Sequence, residues 1–354
     1  MKALQLLPCI LILAGCTHIG QSEVERPYSV SMPVKDSFQV KFPPRIKLAF
    51  GVHLISHNSG NLLISMGENG LIQLFNTTTG TSRLSPLPGI SPMGNFTGTS
   101  WKDKIFVVDL DSFLLTEFEL DDTAGLILRE RFELKGVLDT TMNYIRFQQH
   151  RTIEVIWPYL YISIGSNSNE KNHLDEFAFL QVNLEQPTLP GRKICRYQEE
   201  YLSRDLDHHD TFLKPIGTGD LFFASVSSDS IFVYEESGVL KHAGLLNSNK
   251  GYRKFDKARS RDLGYLRKHT VTNEVNLSVC AFGKNRIAIL KKLRKDKITH
   301  PDKFDLYVVN SNLEVLAKYR IKHSVSPFIC FSYLDGFLIF NEDLDKAYYY
   351  EIPG

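Results

Sequence analysis

The stretch DLFFASVSSDSIFVYEESGVLKHAGLL, residues 220–246, carries three apolar runs separated by two polar turns. Each run is four to six residues long and rich in Phe, Val, Ile, Tyr and Leu, which fits β-strands and is too short for helices. Ser227-Ser228-Asp229 and Glu236-Ser237-Gly238 supply turn residues between the runs. Leu221–Ala224 and Ile231–Tyr234 are continuously apolar rather than alternating. That is the pattern of strands covered on both faces of their sheet.

The same unit recurs along the chain. It appears as NLLISMGENGLIQLFNTTTGTSRLSPL at 61–87, and as KIFVVDLDSFLLTEFEL at 104–120 followed by LILRERFEL at 126–134. A third copy is YLYISIGSN (159–167), FAFLQVNL (177–184) and RKICRYQ (192–198). Residues 220–246 are the fourth. The fifth is NRIAILKK (285–292) with KFDLYVVNSNLEVLAKYRI (303–321), and the sixth is GFLIFNEDLDKAYYYEIP (336–353). One more apolar strand precedes several units: IRFQQH (145–150), TFLKPIG (211–217), NLSVCAFG (276–283) and FICFSYL (328–334). Four strands per unit, repeated at about 40–65 residues, is the pattern of a β-propeller. The expectation is an all-β, six-bladed β-propeller over residues 28–354, with insertions in the third and fifth units leaving five or seven blades as alternative counts. The sixth unit provides only three strands. The segment YSVSMPVKDSFQV (28–40) is therefore expected to add to the C-terminal sheet and close the ring, removing exposed edges. No long amphipathic helix pattern is evident beyond Tyr28.

Composition agrees with a globular β-rich body. Hydrophobic residues are 43% and charged residues 23% of the 354-residue chain, and 23 Phe and 15 Tyr stand against 2 Trp. The formal charge is +1, from 41 basic and 40 acidic residues. A near-neutral chain has no global field to steer it toward nucleic acid or membrane, so any electrostatic function rests on local patches.

Residues 1–15, MKALQLLPCILILAG, open with Lys2 and continue as an apolar run too short to span a bilayer. The run has the length of a signal-peptide core. Leu13-Ala14-Gly15-Cys16 resembles the lipobox of bacterial lipoproteins. The resemblance implies cleavage before Cys16, a diacylglycerol on its thiol, acylation of its amino group with palmitate-type chains, and membrane attachment. A thiolate nucleophile is what makes a cysteine necessary there. Thr17 at the following position favours the outer membrane by the same resemblance, with the periplasmic or outer face left open. Residues 16–27 then read as a lipidated polar tether.

Together, the repeating unit and the lipobox resemble uncharacterised six-bladed β-propeller lipoproteins of gut-type bacteria, a domain-of-unknown-function family. The resemblance covers residues 28–354 and implies the fold and the anchor. It implies no established chemistry.

Four features are candidates for function. The first is Ser203-Arg204-Asp205-Leu206-Asp207-His208-His209-Asp210, just before the fourth unit. Asp207, His208, His209 and Asp210 are candidate ligands for a divalent metal, although adjacent histidines point opposite ways on a strand and no metal-ligand spacing is present. The competing reading is a solvated polar loop, and no cofactor is expected. The second is KGYRKFDKARSRDLGYLRK, 250–268, with eight Lys/Arg against two Asp. Arg253, Lys254, Lys257, Arg259, Arg261, Arg267 and Lys268 are its candidate anion-binding residues. Lys291-Lys292-Leu293-Arg294-Lys295-Asp296-Lys297 is a second basic run in the same unit, expected to share a face with the first. Behind a lipobox, the anions such a face meets are lipid headgroups, acidic glycans or an acidic protein rather than nucleic acid. The competing reading is a solvated insertion.

The third feature is cysteine. Cys195, Cys280 and Cys330 remain after processing and read as small buried thiols. Cys280 and Cys330 occupy similar places in consecutive units, and an oxidising compartment permits a disulfide between them if the geometry allows. The fourth is a set of polar residues on the first strands: Arg146, Gln148, His150, Asn273, Glu274 and Asn276. In metal-dependent propeller lactonases acids and amides converge on a central channel, and these six are placed to do so or to form ordinary polar fringe. No Ser-centred elbow, phosphate loop or zincin motif occurs.

The preferred expectation is a lipid-anchored envelope propeller that binds a glycan, a peptide or an envelope protein, and is not an enzyme. The alternatives are a hydrolase or lyase with a channel-mouth site, and a structural component of an envelope complex. The sequence leaves the oligomeric state open.

Overall fold

A computed structural model of the chain describes residues 30–32, 34–39, 48–57, 60–67, 71–90, 96–121, 125–134, 136–137, 143–145, 152–166, 176–197, 210–246, 256–259, 261–321, 327–341 and 346–352. The chain begins with β1 (Val30–Met32) and β2 (Val34–Gln39). The first sheet is β3 (Leu48–His57), β4 (Gly60–Gly67), β5 (Leu71–Asn76) and β6 (Ser82–Pro86). The second is β7 (Phe96–Trp101), β8 (Lys104–Asp109), β9 (Leu114–Asp121) and β10 (Gly125–Glu133). The third is β11 (Asn143–Ile145), β12 (Ile153–Ile156), β13 (Tyr159–Ser166), β14 (Phe177–Asn183) and β15 (Arg192–Arg196). The fourth is β16 (Thr211–Ile216), β17 (Asp220–Ser225), β18 (Ser230–Glu235) and β19 (Leu240–Leu245). Helix α1 (Leu263–Thr272) comes next. The fifth sheet is β20 (Val275–Ala281), β21 (Arg286–Lys292), β22 (Phe304–Asn310) and β23 (Val315–Ile321); the sixth is β24 (Pro327–Tyr333), β25 (Gly336–Asn341) and β26 (Lys346–Glu351).

Each sheet is an antiparallel meander, and burial follows strand position. The middle strands β8, β18 and β25 are almost wholly buried, whereas the outer strands β6 and β19 are mostly exposed. Successive sheets touch through their first strands, β3 on β7, β7 on β12, β12 on β16, β16 on β20 and β20 on β24. The core lies between sheets rather than in one mass. Among the described residues it divides into five clusters, one for each junction from first–second to fifth–sixth. Apolar side chains on both faces of the second to fifth sheets are thereby covered by the neighbouring sheets. This radial stacking of meanders is a β-propeller. Thr77 Oγ1 and Tyr333 Oη, 3.2 Å apart, join the first sheet to the sixth.

The N-terminal segment does more than the sequence indicates. Its β2 pairs antiparallel with β26 on the open edge of the sixth sheet, as residues 28–40 were expected to do. Its β1 pairs in parallel with β23 of the fifth sheet, with Val30 opposite Tyr319 and Met32 opposite Ile321. One short segment thus spans two sheets, and Met32 is buried in the core between them.

Two sequence expectations need correction. The first strand of the third sheet was placed at 145–150, but the strand beside β13 on that side is β12 at Ile153–Ile156, with Ile153 opposite Ile162. Residues 143–145 pair with the far end of β13, and 146–150 lie outside the described residues. The alternation of Ile153 and Val155 inward with Glu154 and Ile156 less buried is a two-residue period too brief to stand out in the sequence. The basic insertion, for which no helix was expected, contains α1. The helix has little apolar periodicity, so its signal was weak; a local cap and tertiary packing hold it.

Candidate functional site

Two layers meet at the junction of the fourth and fifth sheets. The outer layer is α1 and the short 3-10 turn Lys257–Arg259 before it. Asp262 caps the helix: its Oδ1 accepts the Tyr265 N–H at 3.0 Å, satisfying a donor that the first turn leaves open. Its Oδ2 accepts from Arg259 at 2.6 Å. The Arg259 bond and the helix N–H groups hold the Asp262 carboxyl below the usual carboxylate range. Arg259 also lies 4.5 Å from the Tyr265 ring centroid. Tyr265, His269 and Thr272, spaced four and three residues apart, form the inward face of the helix, and the last two are buried.

The other end of α1 is held by the second basic run. The Lys295 N–H donates to the Thr272 carbonyl at 3.0 Å, and Lys292 Nζ reaches the Val271 carbonyl at 3.4 Å. These bonds occupy carbonyls that a helix C-terminus leaves open, and the lysine complements the partial negative charge there. The two basic segments are therefore in contact. Arg261, Arg267, Lys268, Arg294 and Lys297 are exposed, and Lys295 is paired with Asp302 at 2.9 Å.

The inner layer is a buried charged cluster. Lys291, at the end of β21, is 2% exposed and contacts both Asp229, in the β17–β18 turn, and Glu274, just before β20. These carboxylates are 2% and 5% exposed. Burial pushes the Glu274 carboxyl up to about 7. It pulls the Lys291 ammonium down to about 7, with repulsion from Lys318 adding to the effect. Desolvation disfavours either charge alone, and contact between opposite charges offsets part of that cost. Nearby, Asp305 is fully buried on β22 and is paired with Lys318 at 3.0 Å and with Arg320. Three acids and three bases thus balance across the junction.

Amides and backbone connect these charges to the fourth sheet. Asn276 Nδ2 donates to the Ser225 and Ser228 carbonyls, each at 2.8 Å, and its N–H donates to the Val226 carbonyl at 2.8 Å. The Val226 N–H in turn reaches the Asp210 carbonyl at 2.8 Å. Asn273 Nδ2 lies 3.4 Å from His269 Nε2, and Asn273 Oδ1 accepts the Glu274 N–H at 3.1 Å. The inner layer is a platform whose polar groups are partly spent on one another, with Asp229 Oδ2 and Asn276 Oδ1 buried and accepting no hydrogen bond among the described residues, and it supports the helix above it.

This places the candidates. Asp210 is half-buried at the edge of the platform, while Asp207, His208 and His209 lie outside the described residues, as do Cys16, Arg253 and Lys254. Lys257 lies in the 3-10 turn, Arg259 is engaged with Asp262 and Tyr265, and Arg261, Arg267 and Lys268 are each exposed. Among the described residues no group of His, Cys, Asp and Glu is arranged to hold a metal ion. Asn273, Glu274 and Asn276 are brought together, but inside the sheet junction rather than along an open channel. Arg146, Gln148 and His150 lie outside the described residues. Lys291, read from the sequence as part of the second basic run, is instead buried and paired with Asp229 and Glu274. Sequence reasoning missed Asp229 and Asp305, although Asp305 interrupts the apolar strand FDLYVVN.

No family model matches the chain, and no curated protein matches it. Solved structures do. A member of the DUF4221 family from Bacteroides vulgatus superposes with a TM-score of 0.68 at 11% identity, covering 92% of this chain and 98% of that one. BamB from Moraxella catarrhalis gives 0.42 at 9% identity, covering 91% and 98%. The streptogramin B lyase gives 0.43 at 9%, covering 90% and 97%. At such identity the first of these likenesses concerns the fold, and it is a propeller fold over nearly the whole length of both chains.

Proposed function

We propose that this chain is a lipid-anchored envelope propeller, closed as a six-bladed ring, that uses the α1 face to bind an anionic partner. The observation that carries the reading is the contact between two basic segments. Arg261 just before the cap and Arg267 and Lys268 on the capped helix are exposed, and Arg294 and Lys297 are exposed in the adjoining loop. A helix fixed at both ends presents these cations with less ordering cost than a mobile loop would. The lipobox Leu13-Ala14-Gly15-Cys16 supports attachment through Cys16 and residence in the cell envelope, with the outer membrane favoured. An acidic glycan or an acidic envelope protein suits that setting better than nucleic acid. The enzyme reading is weaker, because Asn273, Glu274 and Asn276 are engaged inside the junction.

The test is capture of envelope material by the full acylated chain, compared with an Arg261→Glu, Arg267→Glu, Lys268→Glu variant. The reading expects acidic glycan or acidic protein to be retained by the native chain, released by salt and lost in the variant. Equal capture by both chains, or capture unmoved by salt, overturns it. Palmitate labelling tests the anchor separately: label on the native chain and none on Cys16→Ala supports it, and equal label on both overturns it.

A further inference from the structure

We infer that Cys280 and Cys330 are an oxidisable pair, a cross-linking site between the fifth and sixth sheets. Their sulfurs lie 3.9 Å apart, with both residues buried and free, at 8% and 1% exposure. They stand on β20 and β24, the first strands of consecutive sheets, which pack directly on each other. Ser278 sets that approach: its Oγ accepts the Cys330 N–H at 3.1 Å and faces the Cys330 carbonyl at 3.4 Å. A disulfide brings sulfurs to about 2 Å, so the remaining gap is about 2 Å and lies along rotatable Cα–Cβ bonds. Cys195 provides the contrast. It is buried in the cluster between the third and fourth sheets, where no second cysteine occurs among the described residues.

The chemistry is thiol–disulfide exchange with a small or protein disulfide as oxidant. One cysteine attacks as its thiolate, forms a mixed disulfide and releases one thiol of the oxidant. The second cysteine displaces the other. Two S–H bonds and the oxidant's S–S bond are lost; the Cys280–Cys330 bond and two S–H bonds on the oxidant are gained. Two electrons and two protons pass to the oxidant.

Access governs the rate. Burial, and then contact with Cys280, hold the Cys330 thiol well above the usual range, so thiolate is scarce in the closed junction. The bond therefore forms fastest while the sheets are assembling. The same junction is spanned on the outside by the N-terminal segment, through β1 on the fifth sheet and β2 on the sixth. The cross-link is its inner counterpart. The chemistry is independent of what the α1 face binds.

The experiment exposes the full chain to oxidised glutathione in two arms, once folded and once during refolding from the reduced, denatured state. Free thiols are then alkylated under denaturing conditions and the peptides mapped. Linked peptides carrying Cys280 and Cys330, with Cys195 alkylated, are expected in the refolding arm and more slowly in the folded arm. The linked chain is expected to unfold at higher denaturant than the same chain treated with dithiothreitol, and Cys280→Ser to lose that shift. Full alkylation of both cysteines in both arms, or links to Cys195 as abundant as the 280–330 link, overturns the inference. The mapping uses the unaltered chain, so it decides the matter whatever the variant does.

Discussion

Replacing Glu274 with Gln tests whether the platform beneath α1 is a buried charge cluster. Glu274 is 5% exposed, and burial raises its carboxyl to about 7 from an ordinary 4.5. Between those two values the folded chain keeps a proton that the unfolded chain has lost. Raising the pH through this window therefore favours the unfolded state, and stability falls. At about 1.36 kcal/mol per tenfold change in proton affinity, the full window corresponds to on the order of 3 kcal/mol. Gln fills nearly the same volume and cannot ionise, so Glu274→Gln removes this contribution. Urea unfolding of both chains, from about pH 4.5 to about pH 7.5, supplies the comparison. The native chain is expected to lose stability relative to the variant as pH rises, most steeply midway between those two values and little further above about 7. Parallel curves would refute the reasoning, as would a native chain that gains stability on the variant across the window.

Lys291→Met leaves Asp229 and Glu274 buried without their shared cation, and a loss of about 3–5 kcal/mol is expected in urea or thermal unfolding. A loss below about 1 kcal/mol would mean that the cluster is open to water. Met32→Ala empties a site in the core between the fifth and sixth sheets, at an expected cost of about 2–5 kcal/mol. Deleting residues 28–40 is expected to lower the melting temperature of the whole chain, and unchanged melting counts against the segment's bridging role. Gly336→Ala would set a Cβ 2.0 Å from the Tyr350 carbonyl oxygen, in backbone already paired across β25 and β26. Loss of amide-exchange protection along β26 is expected, with a cost of at least about 1–3 kcal/mol.

The propeller was legible because its middle strands are covered on both faces. Runs such as FFAS at 222–225 and IFVY at 231–234 remain apolar without alternation, and turns rich in Gly, Asn, Asp and Ser punctuate them. The third sheet was misread at its inner edge, where β12 has only four residues and a polar stretch precedes it. Helix α1 escaped notice because its ten residues, LGYLRKHTVT, carry little apolar periodicity. Its stability comes from the Asp262 cap and from Lys292 and Lys295, which lie about twenty residues further on in the chain. The contact between the two basic segments was anticipated from two runs within one unit. Its support was not, since the contact of Asp229 with Lys291 spans 62 positions and joins two sheets. A single charge in an apolar strand announces that some partner is needed without saying which.

The bridging N-terminal segment also orders events in time. Lys35 pairs with Glu351 at 2.5 Å, across 316 positions of sequence. In a chain made from its N-terminus, β1 and β2 emerge first and wait for partners that emerge last. Until β23 and β26 have formed, both strands are unpaired, and so are the edges they will cover. The entropic cost of joining such distant segments comes due at the end of folding, when the rest of the sheet stack can already be in place. Seating of these residues is then a report of completion: a chain truncated before Lys346 lacks the strand against which β2 would lie.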